Sequence, residues 1–260
     1  MYYSFTDWNG IGQPNFIGLA NYAEMLSSGA VLNAFVHNIV WTIFFLVVPM
    51  AMGLVGAFLL SRIRRGQVLF RVLFFIPYVL ATVVSAAIWR QILDPRGGIG
   101  ATLADLGLPF LTDVNFLGNP SLALGSVAFI NNWQWWGFLL VIFLAAMQSV
   151  DPALYEAARL DGAGPVREFW NITLPSIRPT FVFLSLMTVI WSFLVFDYIY
   201  VLTKGGPAGS TDVLSTLLYR EAFENQRQGY ASAVAMLLSV ISAATVIGYF
   251  ALRRRLKWDV

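Results

Sequence analysis

The chain has 260 residues, of which 58% are hydrophobic and only 12% are charged. Soluble domains carry roughly 25% charged residues because their surfaces face water, so this composition predicts a protein that lies largely in lipid. The sequence contains no cysteine and one histidine, and its net charge is only +2. These counts argue against a disulfide framework, a thiolate or histidine metal site, and a nucleic-acid partner.

Five segments are long and apolar enough to cross a membrane as helices. About 20 apolar residues are needed to span the hydrocarbon core, and a helix pairs its own backbone groups there. In chain order, the predicted spans are residues 38–61, 68–92, 122–148, 180–203 and 230–252. Pro49 and Pro77 are expected to bend the helices that contain them. The predicted fold class is therefore an all-α, polytopic helical bundle in a membrane.

Lysine and arginine are concentrated in alternate loops of this bundle. One set of loops holds Arg62, Arg64, Arg65, Arg71, Arg159, Arg167, Arg178, Arg253, Arg254, Arg255 and Lys257. The other set holds only Arg96, Lys204, Arg220 and Arg227. Because basic loops stay in the cytoplasm, this bias predicts an N-terminus outside and a C-terminus in the cytoplasm.

Residues 1–37 are interrupted by polar side chains and are predicted to lie outside the membrane as a separate segment. Their start is typical of the outer end of a helix, so we expect that a preceding span is missing. The alternative is a genuine five-span protein whose short N-terminus is translocated.

The longest cytoplasmic loop, residues 151–179, contains capping signals for two short helices. Asp151 can cap the first helix, with Pro152 at its first position. Gly162 suits the left-handed turn that would end it, and Pro165 then begins the second helix, which Pro175 and Pro179 are expected to end. These features fit either a surface anchor for the bundle or a docking site for a partner.

Residues 156–158 are a Glu-Ala-Ala triplet, Gly162 follows shortly after, and residues 172–175 read Ile-Thr-Leu-Pro. This part of the loop resembles the EAA loop of bacterial ABC importer permeases. The family pattern is a Glu-Ala-Ala triplet, a glycine shortly after it, and an Ile-x-Leu-Pro exit. The corresponding residues here are Glu156, Ala157, Ala158, Asp161, Gly162, Ile172, Leu174 and Pro175. Residues 3–8, 16–22 and 202–207 are similar to segments of the carbohydrate-uptake branch, which includes maltose-type and glycerol-phosphate-type permeases.

This resemblance implies the type I importer permease fold, also called MetI-like, over residues 38–260, with 151–179 as a loop that couples to an ATPase. It implies four partners: a second homologous permease subunit, two nucleotide-binding ATPase subunits and an extracytoplasmic solute-binding protein. The chain has no G-x-x-x-x-G-K-[ST] phosphate loop, so it is not expected to be an enzyme or to bind a cofactor. ATP and Mg²⁺ would be used by the partner subunits, in the inner cell membrane.

Polar and aromatic residues at membrane depth are candidates for a solute path, because such residues are costly there without a function. The candidates are Asn131, Asn132, Gln134, Trp135, Trp191 and Asp197. Indole rings can stack on the apolar faces of sugars, while amides reach hydroxyl groups. Interfacial aromatic belts and amide contacts between helices are alternative explanations.

The sequence thus predicts a permease subunit of an ATP-binding-cassette importer for a sugar or sugar-like solute. A glycerol-phosphate or polyol permease is a second hypothesis within the same class. An ion-coupled secondary transporter is a hypothesis from a different class, and it would require carboxylates in mid-span and inverted repeats.

Overall fold

The computed structural model describes residues 1–63, 65–108 and 114–255, with side chains as far as residue 251. Within these ranges four helical segments are long and apolar enough to cross a membrane, and a bent pair of helices makes a fifth. Each of them overlaps one of the five spans predicted from the sequence. The structure does not describe Arg64 or residues 109–113, which belong to the loop after the second span. The side chains of the basic residues at 253–257 also lie outside the described part of the chain.

The helices are numbered in chain order. They are α1 (Ala20–Ser27), α2 (Gly29–Ser61), α3 (Gln67–Val79), α4 (Thr82–Ile92), α5 (Ile99–Asp105), α6 (Pro120–Gln148), α7 (Pro152–Leu160), α8 (Pro165–Glu168), α9 (Leu174–Ser176), α10 (Arg178–Leu194), α11 (Asp197–Leu202), α12 (Leu214–Tyr219) and α13 (Gln228–Arg255). A 3₁₀ turn forms at Tyr2–Phe5, and π turns form at Phe169–Thr173 and Arg220–Glu224.

The first span begins earlier than hydropathy predicts. α2 starts at Gly29, where the Ser28 hydroxyl accepts from the Val31 backbone N–H. The boundary drawn after His37 therefore falls inside a helix. Hydropathy placed the start of the span after His37 because polar side chains occur at this point. In the structure the imidazole of His37 is paired within the bundle, 2.7 Å from the carbonyl oxygen of Asp212. Pro49 lies within α2 and does not end it.

Two predicted spans are interrupted, which corrects the prediction of continuous helices at 68–92 and 180–203. The first consists of α3 and α4, which meet at 94° across Leu80 and Ala81. The second consists of α10 and α11, with Val195 and Phe196 in non-helical conformation between them. Pro77 removes one backbone donor from the last turn of α3, and the helix ends two residues later.

The loop helices also differ from the prediction in one respect. Pro175 was expected to end the second helix, but it lies within α9, and the π turn joins α8 to α9 without a gap. The chain leaves helical geometry only at Ile177, before α10. Pro175 has no backbone N–H, so this continuous helical stretch lacks one intrahelical donor at that position.

Buried side chains form three hydrophobic clusters. One joins α1, α12 and α13 to the first turns of α2. The second joins α4 and α11 to the early parts of α2 and α6, and the third joins the later parts of α2 and α6 to the first turns of α10. α2 therefore runs through all three clusters and α6 through two. In the interrupted spans, α3 packs on the third cluster and α4 lies in the second, while α10 contributes to the first and third and α11 to the second.

The N-terminal segment packs on the start of α13. Thr6 forms an isolated antiparallel bridge with Phe16, and the Gly229 N–H donates to the Trp8 carbonyl at 2.9 Å. The buried Asn21 amide donates to the Ser4 and Thr6 carbonyls. Residues 1–28 thus form an ordered cap on one end of the bundle.

Candidate functional site

A cavity of about 490 Å³ lies where the two interrupted spans meet α2 and α6. Five of the six residues predicted for a solute path line it: Asn131, Gln134, Trp135, Trp191 and Asp197. Residues of both breaks, including Leu80, Ala81, Val195 and Phe196, complete its wall. Non-helical backbone at membrane depth is tolerated where it faces a polar cavity. The cavity therefore accounts for the two helix breaks at this depth. We call this space the mid-span cavity.

The sixth predicted residue, Asn132, does not line the mid-span cavity. It is buried, and its Nδ2 lies 3.5 Å from the sulfur of Met52 on α2. Successive residues of a helix point about 100° apart, so neighbouring amides at 131 and 132 face different surroundings. For Asn132 the structure supports the alternative of a contact between helices.

Several polar groups of the mid-span cavity have no hydrogen-bond partner among the described residues. Trp135 Nε1 and Thr188 Oγ1 are both buried and unpaired. Buried polar groups in proteins are almost always paired, so two orphans on one cavity wall are notable. Thr188 was not predicted, because a threonine within a span usually donates to a carbonyl of its own helix, as Thr42 does here.

In contrast to these two groups, both ends of the Gln134 amide are paired. Its Nε2 donates to the Leu80 carbonyl at 2.6 Å, and its Oε1 accepts from the Tyr198 hydroxyl. These partners lie at the two breaks. The aromatic wall beside it is formed by Trp135 and Trp191, whose ring centroids are 4.5 Å apart in an edge-to-face contact.

The wall of the mid-span cavity contains no lysine or arginine among its described residues, and its single charged side chain is Asp197. Asp197 is exposed and stands in the first turn of α11, where a carboxylate interacts favourably with the helix dipole. The charge offered to a bound molecule is therefore negative.

The 151–179 loop folds as two helices joined by a sharp turn, as its capping signals predict. The Asp151 carboxylate accepts from the Ala153 N–H at 2.9 Å. Gly162 has φ of 72°, and the Ala163 N–H reaches back to the Ala158 carbonyl, which forms a Schellman ending for α7. None of the residues of α7 is buried.

The EAA positions divide into an outer and an inner group. Glu156, Ala157, Asp161 and Gly162 are exposed, and Ala158 is half-buried. At the exit, Ile172 and Leu174 are half-buried, whereas Pro175 is exposed. The triplet and the glycine are thus free to meet a partner, while the exit holds the loop against the bundle.

A residue that sequence reasoning missed, Glu168, fixes this loop to the first span. It is 3% exposed, and its carboxylate pairs with Arg159 at 2.8 Å and with Arg62 at 3.2 Å. The hydrogen bond from Arg159, supported by Arg62, holds the pKa of Glu168 below its ordinary value. Since Arg62 caps the C-terminus of α2, one carboxylate connects α7 and α8 to that helix.

Aromatic contacts reinforce the same joint. The ring of Phe58 on α2 meets Phe169 edge-on at 4.7 Å, and Arg62 lies over the Phe58 ring at 4.6 Å. The Tyr155 and Thr173 hydroxyls are 2.9 Å apart, which joins α7 to the π turn. A displacement of α7 would therefore be transmitted to the end of α2.

Comparison with known proteins identifies this arrangement. Residues 39–258 match the family described as the binding-protein-dependent transport system inner membrane component. The chain belongs to this family. It is therefore a multi-pass membrane permease of the ABC importer class, and the predicted family and helical fold are confirmed. Its relatives are permease subunits, a class of non-catalytic transport components.

Two curated relatives and one solved structure illustrate the family. The permease is 34% identical to the xylose/arabinose import permease XacH of Haloferax volcanii, over 94% of this chain and 77% of that one. It is 32% identical to the sn-glycerol-3-phosphate permease UgpA of Yersinia pestis, over 94% and 82%. A chain of a bacterial alginate ABC transporter, crystallised with an alginate pentasaccharide-bound periplasmic protein, superposes with a TM-score of 0.85 at 26% identity. That superposition covers 94% of the permease and 85% of the alginate chain.

Proposed function

We propose that this permease forms half of the translocation path for a neutral sugar or sugar-like solute that an extracytoplasmic binding protein delivers. A second homologous permease would form the other half, and two ATPase subunits, which use ATP and Mg²⁺, would dock on the 151–179 loop. The complex would lie in the inner cell membrane with the C-terminus of this chain in the cytoplasm. The mid-span cavity, with its unpaired polar groups between indole rings, is the observation that carries the proposal.

The lining of the mid-span cavity suits the two-sided chemistry of a sugar. Trp135 and Trp191 offer apolar ring faces and edges, to which the C–H face of a pyranose or furanose can pack. Trp135 Nε1, Thr188 Oγ1 and the amide of Asn131 can pair with hydroxyl groups, because none of them is paired within the described chain. The name of the relative XacH supports the same class of solute.

A glycerol phosphate is a poorer match to this lining. A phosphate group requires cationic partners, and arginine is the side chain most suited to it. The described wall of the mid-span cavity supplies none, and Asp197 would repel the anion. The relationship to UgpA therefore concerns the family, while the lining favours an uncharged solute. The ion-coupled hypothesis is set aside because the chain belongs to the ABC permease family.

Replacing Trp135 by leucine tests the role of the mid-span cavity. We expect solute-dependent uptake by the reconstituted transporter to fall roughly tenfold, because one stacking surface and one hydrogen-bond donor are lost together. Uptake would be measured over a panel of neutral sugars and glycerol 3-phosphate. Trp133→Leu is the matched control, since Trp133 contacts the Trp89 ring and does not line the cavity. Equal losses in both variants would contradict the proposal, as would preferential uptake of the phosphate.

Docking of the ATPase is tested by replacing residues 156–162 with a Ser-Gly linker of equal length. We expect the ATPase subunits to be lost from the purified complex while the permease still inserts, because the exposed face of α7 is removed. Replacement of the exposed turn at residues 9–13 serves as the control and should retain them. Co-purification of the ATPase with the linker variant would disprove docking at this loop.

A further inference from the structure

Gln134 of α6 is hydrogen-bonded to residues at both chain breaks. Its side chain is buried, with 7% of the residue exposed. Leu80, which accepts from its Nε2 at 2.6 Å, is the residue that ends α3. Tyr198, which donates to its Oε1, lies in the first turn of α11, directly after the second break. One amide therefore fastens two separate spans to a third.

The helices beyond the two breaks are joined to each other. Arg90 on α4 donates to the carbonyls of Val201 and Leu202 at the end of α11. A cation at a helix C-terminus also interacts favourably with the helix dipole. Ala86 of α4 and Ile199 of α11 are fully buried in the same hydrophobic cluster. α4 and α11 thus form one packed unit.

The helices before the breaks, α3 and α10, are not part of this packed unit. Leu184 of α10 is buried in the cluster formed with the later parts of α2 and α6, and Phe74 of α3 packs against that cluster. The boundary between the two clusters runs across α6 between Ile130 and Leu139, which are fully buried on either side of it. Gln134 lies at this boundary, and its two hydrogen bonds reach the two chain breaks.

We propose that Gln134 is a positioning residue that sets both chain breaks, and thereby the shape of the mid-span cavity, rather than a ligand of the solute. The inference rests on the proposed role of that cavity as the solute path. Both functional groups of the amide are already occupied, so a solute could bind them only by opening a break. Asn131, three residues earlier on α6, lines the same cavity without any hydrogen bond in the described chain and remains available to the solute.

The chain contains no cysteine, so single thiols can be introduced without altering native ones. Nitroxide labels would be attached after Ala81→Cys or Val195→Cys, one at each break, in the complete transporter in lipid nanodiscs without solute. Gln134→Leu, which keeps an apolar side chain of similar length, is expected to shorten the rotational correlation time of the label at both sites. Asn131→Leu is the matched control and should alter neither label. Mobilisation at one site only, or an equal change caused by Asn131→Leu, would overturn the positioning role.

Tyr198→Phe provides an independent variant should Gln134→Leu fail to assemble. It removes only the hydroxyl that bonds Oε1, so the label at 195 should gain mobility while the label at 81 stays unchanged. An unchanged label at 195 would overturn the inference. ATPase activity stimulated by sugar-loaded binding protein separates the two proposals. If a Gln134 variant lost this stimulation while both labels stayed unchanged, the solute path would stand and the positioning role would be overturned. If the labels gained mobility but no sugar stimulated the unmodified transporter, the positioning role would stand and the solute path would be overturned.

Discussion

Replacement of Gly137 by alanine is expected to force α3 away from α6 and to lower the stability of the permease. A Cβ atom at residue 137 would lie 1.8 Å from the carbonyl oxygen of Phe74 and 2.8 Å from its carbonyl carbon. These are backbone atoms, so no side-chain rotation can relieve the overlap, and the whole helix must shift. Overpacking of this kind costs about 3 kcal/mol or more. The contacts of Trp136 with Phe74 and of Phe138 with Tyr78 would be disturbed together.

The midpoint of thermal unfolding of the purified transporter measures this effect. Gly125→Ala is the matched control, because it lies on the same helix and a Cβ there meets no atom within 4 Å. Alanine is favoured over glycine inside a helix by roughly 0.5–1 kcal/mol, so the control should unfold at the same or a higher temperature. Indistinguishable midpoints for the two variants would show that α3 and α6 do not pack as closely as the structure has them.

Replacement of Gly162 by valine is expected to uncouple ATP hydrolysis from uptake while leaving insertion intact. Gly162 has φ of 72°, and a Cβ at this position would meet no atom within 4 Å. The cost therefore arises from the backbone alone, about 1–2 kcal/mol for a left-handed conformation and more for a β-branched side chain. Relief of that strain requires the turn to unwind, which changes the direction of α7 relative to the joint at Glu168.

Uptake per ATP hydrolysed in proteoliposomes is the measurement for this prediction. Gly164→Val is the control, since Gly164 lies in the same turn with φ of −80° and equally open surroundings. It should retain the ratio of the unmodified transporter. A normal ratio in the Gly162 variant would show that the direction of α7 does not matter for coupling.

The spans and the loop were predictable because their signals are local. Length and apolarity identify a membrane helix, and the caps at Asp151 and Gly162 determine where α7 begins and ends. The breaks at Leu80 and Val195 were not predictable, since both lie within continuous apolar sequence. Whether a helix opens there depends on partners on other spans, such as the Gln134 amide and the Ser215 hydroxyl, which donates to the Val195 carbonyl.

The same limit applies to individual site residues. Asn131 and Asn132 are the same residue type at adjacent positions, and only the packing of α6 against α2 decides which one faces the cavity. Glu168 carried a weak signal, because a carboxylate directly before Phe169 and Trp170 is unusual on a solvated surface. Its partner Arg62 is 106 residues away in the chain, a separation that helical periodicity cannot bridge.

The ion pairs of Glu168 have a mechanical meaning when the length of α2 is considered. α2 contains 33 residues without a break. At the usual rise per residue such a helix is about 50 Å long, and a tilt of about 5° at one end swings the other through about 4 Å. Its far portion carries Asn38, whose side chain bonds the backbone of both Ser192 and Leu214. A small change of tilt imposed at the Arg62 end of α2 would therefore displace its opposite end, on the far side of the bundle, by about 4 Å.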